Sequence, residues 1–132
     1  MIEAYATALS VTSSSGPISF SNKMTRGCSV VLDDDNKTFK FNLPGVYKVD
    51  VSITGNVTAG GILSAQIYAD GNPIARAQAQ AVTGAAENQN IAFSTLLTVS
   101  PTMLGERATM TLNYGGGAGA LLLADVIITK IA

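Results

Sequence analysis

A chain of 132 residues is long enough for one domain, 1–132, that buries roughly two-thirds of the surface its unfolded form exposes. A net charge of -1, with 13% charged residues and no histidine, excludes the clustered Lys/Arg of a nucleic-acid or anionic-membrane binder and removes the commonest general base and zinc ligand. So sparse a charge with a mean hydropathy of +0.31 fits a surface partly buried between subunits.

The start, Met1-Ile2-Glu3-Ala4-Tyr5, has neither the basic nor the apolar region of a secretory signal, so synthesis in the cytoplasm is expected. Residues Ile2 to Leu9 read as a first strand, with Ile2, Ala4, Ala6 and Ala8 on one parity and Tyr5 and Leu9 on the other. The turn Ser13-Ser14-Ser15-Gly16-Pro17 closes it, and Ile18-Ser19-Phe20 is a short strand. A polar stretch from Ser21 to Gly27 leads to Ser29-Val30-Val31-Leu32. Cys28, the single cysteine, can form no intrachain disulfide and reads as a small buried hydrophobe. Asp33-Asp34-Asp35-Asn36 is a solvated tight turn with Asx side chains bonding their own backbone; as a calcium loop it fails, because Thr38 and Pro44 stand where glycine and glutamate are needed.

Two alternations follow, Phe39/Phe41/Leu43 and Tyr47/Val49/Val51/Ile53, flanking Pro44-Gly45; they predict a hairpin with one dry face. After a loop at 56–61, Leu63/Ala65/Ile67/Ala69 and Ala75/Ala77/Ala79/Ala81 form two arms joined by Asp70-Gly71-Asn72-Pro73, with a lean core face and a polar outer face. Ile91, Phe93, Leu97 and Val99 mark the next strand, ended by Ser100-Pro101. A turn at 103–106 precedes Ala108/Met110/Leu112/Tyr114, and Gly115-Gly116-Gly117 with Gly119 reads as a flexible link.

The last strand, Leu121 to Ile131, breaks the pattern. Leu122, Ala124, Val126 and Ile128 take one parity while Leu121, Leu123, Ile127 and Ile131 take the other, so both faces are dry and the outer one needs a cover. About ten short strands and no helical period indicate an all-β antiparallel sandwich or barrel, with no membrane-spanning helix because every apolar run falls short of ~20 residues. With no Trp, four Phe and four Tyr, the core is expected to consist of Ala, Ile, Leu and Val.

No catalytic constellation assembles: there is no base for a serine nucleophile, no Ser-x-x-Lys, and no His for a cupin-type metal. No cofactor, metal or catalytic residue is expected. Asp125, a charge inside an apolar strand, is expected to pair with Lys48 or Arg107, and it lies where it can approach Asp50. A shallow sugar site would need an exposed aromatic ring, for which Tyr68 and Tyr114 are the candidates.

The segment F-K-F-N-L-P-G-V-Y-K-V-D-V-S-I, residues 39 to 53, resembles the C1q/TNF-like domains, in which a strand ends in a Pro-Gly corner before Gly-x-Tyr and an alternating strand. Leu104-Gly105-Glu106-Arg107-Ala108 is similar to that family's turn before its seventh strand, and the dry final strand sits where the family's last strand does. The resemblance implies a ten-stranded jelly roll that forms a compact homotrimer. It places Leu121, Leu123, Ile127 and Tyr5 at the trimer contact, with Val46, Lys48, Asp50 and Asp125 on the same sheet and partly in the interface. The aromatic-poor, Ala/Gly/Thr/Asn-rich composition resembles bacterial and bacteriophage versions: spore-surface heads and virion fibre, tail or head-decoration proteins. These imply a virion-associated adhesion module whose partners are itself, another particle protein or a host-surface glycan.

Overall fold

The computed structural model describes residues 2–13, 16–25, 29–57, 60–84, 87–100, 108–116 and 119–132. Among these the regular elements are all strands: β1 (Ile2–Ser13), β2 (Gly16–Pro17), β3 (Asn22–Thr25), β4 (Val30–Leu32), β5 (Thr38–Phe41), β6 (Gly45–Val57), β7 (Gly61–Ala69), β8 (Asn72–Thr83), β9 (Gln89–Val99), β10 (Thr109–Gly116) and β11 (Gly119–Lys130). Two antiparallel sheets result, ordered β3-β1-β11-β6-β9 and β4-β5-β10-β7-β8, and β2 attaches to β10. Ten strands therefore build the two layers of a jelly-roll sandwich, and the two-residue β2 is an addition.

Period-two alternation puts one parity of each strand into the gap between the sheets. Ala4 and Ala6 of β1, Tyr47 to Ile53 of β6 at every second residue, and Ala124, Val126 and Ile128 of β11 are buried on one side. Val30, Phe39, Phe41, Leu63, Ile67, Met110 and Leu112 meet them from the other sheet. The expected aliphatic core needs correction, because Phe20, Phe39, Phe41, Tyr47 and Tyr114 are all buried. Few aromatics are present, but they gather where the two layers join: Phe41 meets Tyr47 edge-on at 4.8 Å between ring centroids, and Phe20 meets Phe39 at 5.7 Å.

The hairpin expected across Pro44-Gly45 does not form. β5 pairs with β4 and β10 in one sheet, whereas β6 pairs with β11 and β9 in the other. The corner carries the chain from layer to layer, so Phe41 and Tyr47 face each other across the core instead of sharing a ladder. The two alternating runs look alike in either arrangement, since both bring their dry sides together. Gly45 permits the bend with φ 152°. A Cβ there would lie 2.5 Å from the Ala132 carbonyl oxygen, which accepts a hydrogen bond from Val46 N at 3.1 Å. Tyr47 Oη fastens the corner from inside by donating to the Leu43 carbonyl at 2.7 Å.

Two other segments differ from expectation. Ile18 and Phe20 are buried but lie between strands, held by single bonds from Ile18 N to the Leu112 carbonyl and from Phe20 N to the Asn36 carbonyl. The polar run that follows is itself a strand, β3, pairing with β1. Gly115 and Gly116 belong to β10 rather than to a link, opposite Ser64 and Leu63. Gly117, Cys28 and the turn at 103–106 lie outside the described residues.

Two of the predicted turns form as expected. Asp70 (φ 53°) and Gly71 (φ 82°) close β7 on β8. At the other tight turn Asn36 takes φ 59°, and one Asp35 carboxylate oxygen accepts from Lys37 N at 2.8 Å and Thr38 N at 2.9 Å. Partial desolvation pushes the Asp35 pKa up. The Lys37 and Thr38 backbone donors and the Thr38 hydroxyl outweigh it and hold the carboxyl below its ordinary value of 3.8.

Replacing Phe41 by Ala is expected to lower the unfolding free energy by about 3–5 kcal/mol, and Tyr47→Phe by about 1 kcal/mol, both read from guanidinium titrations at one protein concentration. Because Asp35 is more acidic folded than unfolded, its contribution is present above pH 3.8 and lost as the pH falls below it. The stability gap between the wild type and Asp35→Asn, followed by thermal melts from pH 6 down to pH 3, is expected to narrow on acidification.

Candidate functional site

In the sheet β3-β1-β11-β6-β9, strand β11 is hydrogen-bonded along both edges, to β1 and to β6. Its inward parity fills the core, so its other parity must face out of the sandwich. There the neighbouring strands place their own second parity alongside, and the register fixes the rows. Tyr5 stands opposite Met24 on one side and Ile127 on the other, Ile127 opposite Asp50, and Asp50 opposite Ser94. The next row runs Thr7, Asp125, Ser52, Ala92. All of these except Met24 line a shallow open concavity of about 780 Å³, which Val51, Phe93 and Val126 of β6, β9 and β11 also border.

Of the residues singled out in the sequence, Tyr5, Asp50, Asp125 and Ile127 line this concavity. Lys48 lies one row along β6, and Val46 two residues further on the same parity, beside the chain end that Ile131 N ties to the Val46 carbonyl. Leu123 is half-buried on the same parity of β11. Leu121 pairs through its backbone with Gly55 and Val11, and its side chain lies outside the described residues. A bulge between Leu121 and Leu123 on the β6 side shifts the pairing there.

The partner of Asp125 is not Lys48. Thr7 Oγ1 donates to Asp125 Oδ1 at 2.8 Å, a bond between residues directly opposite each other on β1 and β11. Lys48 turns to Asp50 on its own strand, Nζ to Oδ1 3.7 Å, with both side chains well exposed, so the pair contributes little. Arg107 lies outside the described residues. Thr7, Ser52 and Ala92 were not singled out by sequence reasoning. Their signal was present in parity: Thr7 shares the Tyr5 parity, and Ala92 opposes the Ile91/Phe93 parity. What was missing was the strand order that places β1 and β9 on either side of the β11–β6 pair.

The chemistry of this surface is mixed. Tyr5 and Ile127 are each 38% exposed and Met24 is 50% exposed, an apolar stripe crossing three strands. Hydroxyls and two carboxylates flank it. Among the described residues no three His, Cys, Asp or Glu side chains come together to hold a metal ion. On the opposite face of the molecule, Tyr114 points into the core and is buried, whereas Tyr68 is half-buried at the surface. Desolvation raises the Tyr114 pKa above its ordinary 10.0.

No protein-family model and no curated protein matches the sequence. Solved structures do match the fold. The globular domain of zebrafish complement 1qA aligns with a TM-score of 0.68 at 12% identity, covering 98% of each chain. Eiger TNF from S. frugiperda gives 0.65 at 11% identity, over 99% of this chain and 93% of that one. Murine APRIL, in a crystal structure at pH 5.0, gives 0.63 at 10% identity, over 97% of this chain and 98% of that one. The chain has the C1q/TNF-like jelly-roll fold.

Replacing Thr7 by Val keeps the shape of the side chain and removes the donor to Asp125. It is expected to cost about 1 kcal/mol in denaturant unfolding, and Thr7→Ser is expected to retain most of the wild-type stability.

Proposed function

We propose that this chain is a non-enzymatic structural or adhesion module that works as a homotrimer, with the outward face of β3-β1-β11-β6-β9 packed around the threefold axis. The observation that carries the reading is the position of Ile127. It sits on a strand paired on both edges, beside Tyr5, and remains 38% exposed in the isolated chain. An apolar stripe across the middle of a sheet, in a protein with few charges to keep it dispersed, calls for a cover. Sister copies of the same face supply one. The resemblance to C1q/TNF-like domains implies a trimer contact on this sheet, and the match in fold over nearly the whole chain supports carrying that arrangement over.

If each subunit buries ~700 Å² of mostly apolar surface in this way, the gross gain is on the order of 15 kcal/mol before the costs of association. Asp50 and Asp125 belong to this reading as polar members of the contact, satisfied in part by Lys48 and Thr7. A non-enzymatic role is supported by the absence of histidine and of any Ser-x-x-Lys motif from the sequence.

The reading extends to a virion: a bacteriophage head-decoration, fibre or tail protein that attaches to another particle protein through loops at one end of the trimer. Its support is compositional, the small, uncharged Ala/Gly/Thr/Asn-rich character that resembles phage and bacterial versions of the domain. Light scattering coupled to size exclusion at micromolar concentration is expected to give a particle of about three times the 13.5 kDa chain. Ile127→Glu and Tyr5→Glu are each expected to shift it toward a monomer that keeps its β-sheet circular dichroism. A wild-type chain that stays monomeric contradicts the proposal.

A further inference from the structure

The outward face of the other sheet carries a different pattern. Across β10, β7 and β8 the register aligns Asn113 with Gln66 and Gln78 in one row and Gly115 with Ser64 and Gln80 in the next. Tyr68, between Thr111 and Pro73, closes this grid at one end. At the other end stands the exposed cross-strand pair Ile62 and Val82, the latter 81% exposed. From Tyr68 to Ile62 is about 20 Å along β7 at the usual rise of a strand. The two rows Asn113/Gln66/Gln78 and Gly115/Ser64/Gln80 carry no charge; the nearest on β8 is the exposed Arg76, at the Tyr68 end, whose guanidinium donates to the Leu96 carbonyl of β9 at 3.2 Å.

Solvated sheet faces normally mix both signs of charge, and strands disfavour Asn in their interior. Here amides and hydroxyls occupy the grid instead, and several are held in place. Gln66 Nε2 donates to the Ile74 carbonyl at 3.1 Å, and Gln78 Nε2 to the Ala75 carbonyl at 2.9 Å. Thr111 Oγ1 donates to Asn113 Oδ1 at 2.8 Å. Fixing one end of each amide leaves the other unpaired among the described residues: two carbonyl oxygens that accept and one amino group that donates. Gly115 leaves room beside them, in a depression of about 100 Å³ bordered by Ser64, Gln66, Gln78 and Tyr68. A Cβ at position 115 would stand 2.8 Å from Ser64 Oγ.

We infer that this face binds a neutral glycan. Pinned acceptors and donors at the spacing of adjacent strands match the hydroxyl pairs of a sugar, whose C–H face stacks on a half-exposed tyrosine. The two uncharged rows match an uncharged polyhydroxy partner, and the one nearby cation, Arg76, is turned to the Leu96 carbonyl of β9. Two apolar side chains beyond the grid extend the footing to several rings. The site is complete within one chain, so it does not rest on the trimer.

Native gels cast with a neutral glucan, a galactomannan or an arabinoxylan, with heparin as the anionic arm, test it directly on the whole protein. At least one neutral polysaccharide is expected to retard the wild type equally at low and high salt, since no ion pair is involved. Tyr68→Ala and Gly115→Ala are each expected to weaken retardation by about tenfold while leaving particle mass and circular dichroism unchanged. No retardation by any neutral polysaccharide, salt-sensitive retardation by heparin alone, or retardation that both variants retain in full would each overturn the inference.

Discussion

Everything in this molecule turns on β11 being wanted on both sides. Its hydrogen bonds are consumed along two edges by β1 and β6, and one parity of side chains is consumed by the core, where Ala124, Val126 and Ile128 are fully buried. What remains is the second parity, Leu123, Asp125, Ile127 and Thr129, facing out of the sandwich. A solvent-facing strand would carry polar residues there. This one carries leucine and isoleucine around a single aspartate, and Tyr5 and Met24 continue the apolar stripe on adjacent strands. The sheet thus carries apolar side chains on both of its faces.

The two outer faces of the sandwich differ in chemistry. One is an apolar stripe edged by carboxylates and hydroxyls, suited to burial against another protein surface. The other is an uncharged grid of amides and hydroxyls ending in one tyrosine, suited to directional hydrogen bonding with something small and wet. The core between them owes its definition to a few aromatic rings at the Pro44-Gly45 corner, where Phe41 and Tyr47 lock one layer onto the next. Rigid layers matter for both faces, because neither a subunit contact nor a sugar site tolerates slippage of register.

Much of this was legible in the chain itself. Period-two alternation located most of the strands and their inward parity, since burial acts on each strand independently of its neighbours. Asp70-Gly71 and Asp33 to Asn36 declared their turns because the positive φ angles found there need those residue types. The Pro44-Gly45 corner was misread as a hairpin because alternation records which face is dry and not which strand supplies the hydrogen bonds. The partner of Asp125 was missed for the same reason: Thr7 is 118 residues away in sequence and adjacent only through the β1–β11 register. Gly115 looked like a linker residue, yet a glycine within a ladder marks close approach of a neighbour, here Ser64.

Hydroxyl-radical footprinting of the protein at micromolar concentration tests the covered face most directly. In the isolated chain Tyr5 is exposed and Tyr68 only half-buried, so a monomer would be oxidised at least as fast at Tyr5 as at Tyr68. Burial between sister chains reverses the order: Tyr5, and with it the peptide containing Ile127, is protected while Tyr68 is labelled. Equal or faster labelling of Tyr5 would show the stripe open to water and contradict the assembly.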